Sequence, residues 1–209
     1  LVQVNRWILD KVDMAFCINL ERRQDRWLFM KKQFEERGLS VHRFNALDGS
    51  ALPSHLVPPS PPLKAPMGAG AYASLISHLS VIQLAKALDL RAVMIWEDDV
   101  KIQPNWLPLT EAFFMEVPED WDMLYLCGAI LLDRVKVSGC ITRVSYAYNN
   151  ACYIVRNNVY DRCIQALSTK GHWADQLLAG LHPQMRVYMP EQHPVQQLRT
   201  FGTDNKERK

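Results

Sequence analysis

Three consecutive acids, Glu97-Asp98-Asp99, end the apolar run Ala92-Val93-Met94-Ile95-Trp96. A stretch that is apolar on consecutive residues suits a central strand covered on both faces. Ligands of open α/β sheets bind outside the carboxyl ends of such strands. Three packed carboxylates repel one another and raise each other's pKa unless positive charge intervenes. A divalent cation is the natural remedy. Mg²⁺ and Mn²⁺ prefer oxygen ligands and take one or two carboxylates together with phosphate oxygens of a substrate. If extended geometry continues through the triplet, Glu97 and Asp99 share one face and Asp98 takes the other. A solvated acidic turn is the plain alternative.

Other polar residues invite chemistry. Arg22, Arg23 and Arg26 lie just after the apolar run that ends at Asn19. Arginines where a strand opens into a helix suit a phosphate, against a solvated helix face paired with Glu21 and Asp25. Ser77-His78 sits inside a helical pattern. A lone helix histidine is commonly a structural hydrogen-bonder, and bracing the sheet behind the acids is its expected role. Asp175, in Trp173-Ala174-Asp175-Gln176, is the candidate general base, a carboxylate able to take a proton from an acceptor hydroxyl. Its place at a helix start equally suits a first-turn acid that stabilises the helix dipole. Asp122 begins a strand, the end that seldom carries chemistry.

Those residues need elements to hold them. Residues 14–19 read as a buried strand, 25–37 as an amphipathic helix stopped by Gly38, and 41–46 as a second strand. This is a βαβ unit, the building block of parallel sheets with helices on their faces. Six of the twelve prolines fall in 53–66, which excludes a regular helix or a central strand. That stretch is either a linker or a functional loop beside a site, and the continuity of its flanks favours the loop. A long helix is expected over 70–88, a strand over 92–96, a short helix over 110–116 and a buried strand over 122–127. Beyond that lie a hairpin around Ser138-Gly139 (134–137 with 141–146), a strand over 151–155, helices over 157–168 and 174–181, and a strand over 185–189. The expected fold class is α/β, a mostly parallel sheet flanked by helices with an antiparallel insertion in the C-terminal half. Residues 1–209 read as a single domain, with one part at about 14–127 and a second at about 128–200.

Composition narrows the classes. The chain has 209 residues, 48% of them hydrophobic and 22% charged, with a formal net charge of +2. That is an ordinary globular composition, and the near-neutral balance gives no electrostatic case for nucleic acid. No apolar run approaches the roughly 20 residues that a membrane span needs. Five cysteines, odd in number and never spaced as CxxC, exclude a disulfide framework and point to a reducing compartment. The expected location is cytoplasmic, including the periphery of a membrane. The ER lumen stays open if a signal segment precedes Leu1.

Ile95-Trp96-Glu97-Asp98-Asp99-Val100, preceded by Ser77-His78, resembles glycosyltransferase family 25, the lipooligosaccharide and collagen galactosyltransferase group. Ile18-Asn19-Leu20-Glu21-Arg22-Arg23 with Asp25-Arg26 resembles its opening strand and turn. Arg43-Phe44-Asn45-Ala46-Leu47-Asp48-Gly49 is similar to its next strand end, Trp121-Asp122 to Leu126 to a later strand, and Asn150-Ala151-Cys152-Tyr153-Ile154 to a further one. Asp175 falls where the family places an acid, and Thr203-Asp204 resembles its terminal Ser-Asp. One departure is plain: the family's Gly-Cys before the Ser-His pair is replaced by Ala73-Ser74.

The resemblance implies a GT-A-type, Rossmann-like fold and a nucleotide-sugar donor, a UDP-sugar. Glu97 and Asp99 then match the outer acids of an Asp-x-Asp metal motif for Mn²⁺ or Mg²⁺, and Asp98 meets the donor ribose. Asn19, Arg22, Arg26, Ser77 and His78 fall to donor binding. His193 is the candidate additional metal ligand, against an ordinary loop histidine. The implied function is metal-dependent transfer of a hexose, galactose or glucose, with inversion. The acceptor is a carbohydrate, a lipid-linked glycan or a hydroxyl-bearing protein, as in lipooligosaccharide or LPS biosynthesis. The competing readings are a nucleotidyltransferase using the same acids and a non-catalytic sugar- or protein-binding module with a decayed site.

Overall fold

The computed structural model describes residues 10–58, 67–130, 132–169 and 171–198. Residues 59–66 of the proline-rich stretch and the Thr203-Asp204 pair lie outside them. The first half forms β1 (Met14–Asn19), α1 (Gln24–Glu36), β2 (His42–Asn45), α2 (Ala69–Ala87), β3 (Ala92–Glu97), β4 (Val100–Ile102), α3 (Trp106–Glu116) and β5 (Met123–Ile130). The second half forms β6 (Arg134–Lys136), β7 (Ile141–Val144), β8 (Ala147–Arg156), α4 (Tyr160–Leu167), α5 (Ala174–Ala179), β9 (Val187–Pro190) and β10 (Val195–Gln197).

Eight strands make one sheet in the order β2-β1-β3-β8-β5-β9-β7-β6. β1 pairs in parallel with β2 and β3, and β5 with β9. β8 runs antiparallel between β3 and β5, and β7 antiparallel to β9 and β6. Only β7 and β8 therefore oppose the direction shared by the other six of the eight strands. The hairpin expected around Ser138-Gly139 is present as β6 and β7. The antiparallel element reaches further than that hairpin, because β8 lies in the middle of the sheet.

The consecutive apolar residues have a simple cause. Along β3, Ala92, Met94 and Trp96 enter one core with Met30 and Phe34 of α1 and Phe113 of α3. Val93 and Ile95 enter the other core with Leu75, Leu79 and Ile82 of α2. β1 divides the same way, Ala15 and Cys17 against Phe16 and Ile18. Helices cover both faces, so every strand position meets apolar neighbours. Burying a side chain such as Ile95 or Met94 stabilises the fold by about 1.5–3 kcal/mol. This alternation carries into the polar end of β3. Glu97 meets His78 from α2 on one face, and Asp98 meets Arg26 from α1 on the other.

Two elements were not expected from the sequence. β4 follows the acids directly and pairs antiparallel with β10, Val100 opposite Gln197. Gln33 of α1 acts as a substitute strand edge for β4, donating to the Val100 carbonyl at 3.0 Å and accepting from the Ile102 amide at 2.8 Å. The acidic turn is thus held from both sides.

After β2, Asp48 accepts from the Ser50 amide and starts a short 3₁₀ turn, Gly49–Ala51. A Cβ on Gly49 would lie 2.5 Å from the Ala69 carbonyl oxygen and 2.6 Å from the Gly70 nitrogen, at the start of α2. Backbone cannot yield as a flexible side chain does. Gly49→Ala is therefore expected to destabilise the protein by about 1–3 kcal/mol. Thermal unfolding checks this: a clearly lowered melting temperature is expected, and an unchanged one would mean that the loop and α2 separate freely.

Candidate active site

Parallel β1, β2 and β3 end together, and their carboxyl ends build the acidic site. Asp98 is nearly buried, and both its oxygens are engaged. Arg26 Nη1 donates to Oδ1 at 2.7 Å and Asn19 Nδ2 to Oδ2 at 2.6 Å. Burial pushes the Asp98 carboxyl above its usual range, and the Arg26 contact pulls it back only in part. Asn19 is saturated as well. Its Oδ1 accepts from Arg43 Nε at 2.9 Å and Nη2 at 2.6 Å, and its Nδ2 also reaches the Arg23 carbonyl at 3.1 Å. An Asn has four hydrogen-bonding positions, and all four are used. Asn19 thus spends its side chain on protein partners, and Asp98 is held by Arg26 and Asn19 at the edge of the cavity. Both shape the site from beneath.

The outer acids behave differently. Gln197 Nε2 donates to Glu97 Oε2 at 3.1 Å and to Asp99 Oδ1 at 3.3 Å, so the two carboxylates converge on one point. Arg26 stays 3.9 Å from Asp99, too far for a hydrogen bond. Burial first, then repulsion from Glu97, raises the Asp99 carboxyl to about 7. The pair thus carries poorly compensated negative charge. Two converging oxygen donors of this kind fit a hard divalent cation that completes its shell with phosphate oxygens and water. Among the described residues no group of three His, Cys, Asp or Glu could hold a metal. His193 does not join the acids as expected. It lines a neighbouring cavity with Cys127 and Gln103, which shares Gln197 with the acidic site.

A cavity of about 520 Å³ opens over these strand ends. Arg22, Arg26, Asp48, Gly49, Gly70, Ser77, His78 and all three acids line it. Arg22 Nε donates to Asp48 at 2.8 Å, and that bond holds the Asp48 carboxyl down at about 2. Ser77 is tied to the protein, donating to the Ala73 carbonyl at 2.8 Å and accepting from the Leu47 amide at 3.0 Å. His78 lies between the sheet and the acids, with Nδ1 2.9 Å from the Tyr153 hydroxyl and Nε2 3.4 Å from Glu97.

A second cavity, of about 280 Å³, shares Ser74, His78, Glu97 and Gln197 with the first and adds Trp173, Asp175 and Asn150. Asp175 and Glu97 thus face one space. Asp175 Oδ1 accepts from the Gln176 amide at 2.8 Å, the first-turn role, while Oδ2 is 3.4 Å from the Asn149 amide. Burial lifts its pKa, with Glu97 adding to the rise. Asn149 has φ of 73°, and the β5–β8 register shifts around it. This bulge turns Asn149 and Asn150 toward the cavities.

The site residues that the sequence did not single out are Arg43, Gln33, Gln197, Tyr125 and His182. Each acts through a partner remote in the chain, and only the motifs around Arg43 and Tyr125 offered any local signal.

A family model described as glycosyltransferase family 25 (LPS biosynthesis protein) matches residues 13–172. The chain belongs to glycosyltransferase family 25. A glycosyltransferase 25 family member from Anopheles gambiae is 26% identical over 164 residues, 70% of this chain and 28% of that protein. Another, from Drosophila pseudoobscura pseudoobscura, is 35% identical over 103 residues, 44% of this chain and 16% of that one. The family 25 chain therefore spans well under a third of these relatives' length. Among solved structures, a glycosyltransferase involved in the glycosylation of the major capsid of PBCV-1 aligns with a TM-score of 0.48 at 8% identity, over 84% of this chain and 80% of that one.

Asp99 makes the acidic pair visible to pH. Its folded value near 7 lies above the ordinary 3.8, so the folded state binds the proton more tightly. The stability this proton provides is complete below about 4 and is lost as pH rises through about 7. In EDTA, Asp99→Asn is expected to raise the melting temperature relative to wild type at pH 8, with most of that gain gone at pH 5. Equal differences at both pH values would contradict the charge repulsion.

Proposed function

We propose that this family 25 chain is a metal-dependent glycosyltransferase that moves a hexose, galactose or glucose, from a UDP-sugar to a hydroxyl acceptor. An LPS- or lipooligosaccharide-type glycan suits the acceptor side. The observation that carries the reading is the shared wall: Glu97 belongs both to the cavity ringed by Arg22, Arg26 and the acids and to the one that holds Asp175. A nucleoside diphosphate in the first cavity brings its sugar to the second.

Glu97 and Asp99 would hold Mn²⁺ or Mg²⁺. Such a cation, when bound, neutralises charge on the departing diphosphate as a Lewis acid. The chain's own residues supply the rest. Arg22 and Arg26 bring positive charge to the phosphate end. Asp175 takes the proton of the acceptor hydroxyl as its oxygen bonds to the anomeric carbon, while the bond from that carbon to the diphosphate oxygen breaks and UDP leaves with the electron pair. A carboxyl lifted by burial is a stronger base than an exposed one, which suits this task near neutral pH. His78, held by Tyr153, keeps Glu97 in place.

Asp99→Ala is expected to abolish turnover and metal-assisted UDP binding, read by product assay and calorimetry. Full activity in this variant, or in excess EDTA, would contradict the metal role. Asp175→Asn is expected to spare UDP affinity while transfer falls by a factor of about 10² or more. Equal rates would remove Asp175 as base. The products separate the main alternative: UDP supports glycosyl transfer, whereas UMP or pyrophosphate supports nucleotidyl transfer.

A further inference from the structure

Behind the smaller cavity runs a buried polar chain with a fixed direction. It begins at the Ala147 backbone N–H, which donates to His182 Nδ1 at 3.3 Å. A backbone amide is always a donor, so Nδ1 must be the acceptor nitrogen. His182 is buried, and burial pushes its imidazole down to about 4, so the ring is neutral near pH 7. A neutral ring with a lone pair on Nδ1 carries its proton on Nε2. Nε2 lies 3.2 Å from the Tyr125 hydroxyl oxygen and donates to it. The Tyr125 proton is then free to point onward, to Asn150 Oδ1 at 3.2 Å. Each link follows from the one before, and the sense of the Asn150 amide is fixed by the network rather than by choice.

The chain stops there. Asn150 is only 3% exposed, and its Nδ2 is buried with no hydrogen-bond partner among the described residues. Buried amide donors are rarely left unmet, and an exception calls for a ligand, a water or a functional reason. Asn150 lines the same cavity as Glu97 and Asp175, inside the β8 bulge.

We infer that Asn150 donates its amide N–H to a hydroxyl oxygen of the transferred sugar, and that His182 and Tyr125 are positioning residues that hold the amide in that sense. The inference rests on the transferase reading above and names a specificity contact within it. A sugar hydroxyl both donates and accepts, and the unpartnered Nδ2 matches its oxygen.

Calorimetry with UDP, UDP-galactose and UDP-glucose in the presence of Mn²⁺ tests this. Asn150→Ala is expected to weaken the better-bound UDP-hexose by roughly three- to tenfold, the loss of one neutral hydrogen bond, with UDP affinity unchanged. Tyr125→Phe keeps the ring and releases the amide, so a smaller loss in the same ratio is expected. It also carries the test if Asn150→Ala does not fold. Unchanged UDP-hexose to UDP ratios in the folded variants would overturn the contact. A loss in Asn150→Ala with none in Tyr125→Phe would overturn the positioning role. A wild-type protein that binds neither UDP nor a UDP-hexose would instead defeat the transferase reading itself.

Discussion

The site depends on the burial of one carboxylate so that two others stay available. Asp98 is clamped between Arg26 and Asn19, and Asn19 is in turn locked by Arg43. Removing one partner of such a buried pair leaves an uncompensated charge, which costs about 3–5 kcal/mol. The clamp also fixes direction. With Asp98 held toward α1, Glu97 and Asp99 converge on Gln197. The repulsion stored between those two acids is what a cation would relieve.

The same strand ends join two spaces. The larger cavity is lined by Arg22 of the β1–α1 turn and Arg26 of α1, with Gly49 and Gly70 beside them. The smaller one is built by the C-terminal half, from α5 and the bulge in β8. Glu97 and His78 are common to both. Tyr125 and Tyr153, opposite each other on β5 and β8 and stacked with ring centres 5.8 Å apart, each carry a histidine. Tyr153 steadies His78 beside Glu97, and Tyr125 links His182 to Asn150. Two adjacent strands thus order the walls of both cavities.

Much of this was legible in the sequence, and the remainder was hidden for physical reasons. Runs such as Ala92–Glu97 announced central strands because both faces are apolar, and the acid triplet announced a strand end. The helices α1 and α2 appeared within a residue or two of the expected bounds. The position of β8 between β3 and β5 was not legible, since pairing order is set by packing across the sheet and leaves no local mark. β4 and β10 are three residues each, too short for periodicity. The contacts of Asn19 with Arg43 and of Asp98 with Arg26 join residues remote in the chain, partners that only folding reveals. His193 followed a strand as anticipated, yet the register of β10 against β4 brings Gln197, not the histidine, to the acids.

The most direct test is the anomalous signal of Mn²⁺ in crystals grown with UDP. The account predicts one peak in coordination contact with the carboxylates of Glu97 and Asp99 and with diphosphate oxygens, with Asp98 still held by Arg26 and Asn19. A metal bound elsewhere, or bound through a released Asp98, would contradict it.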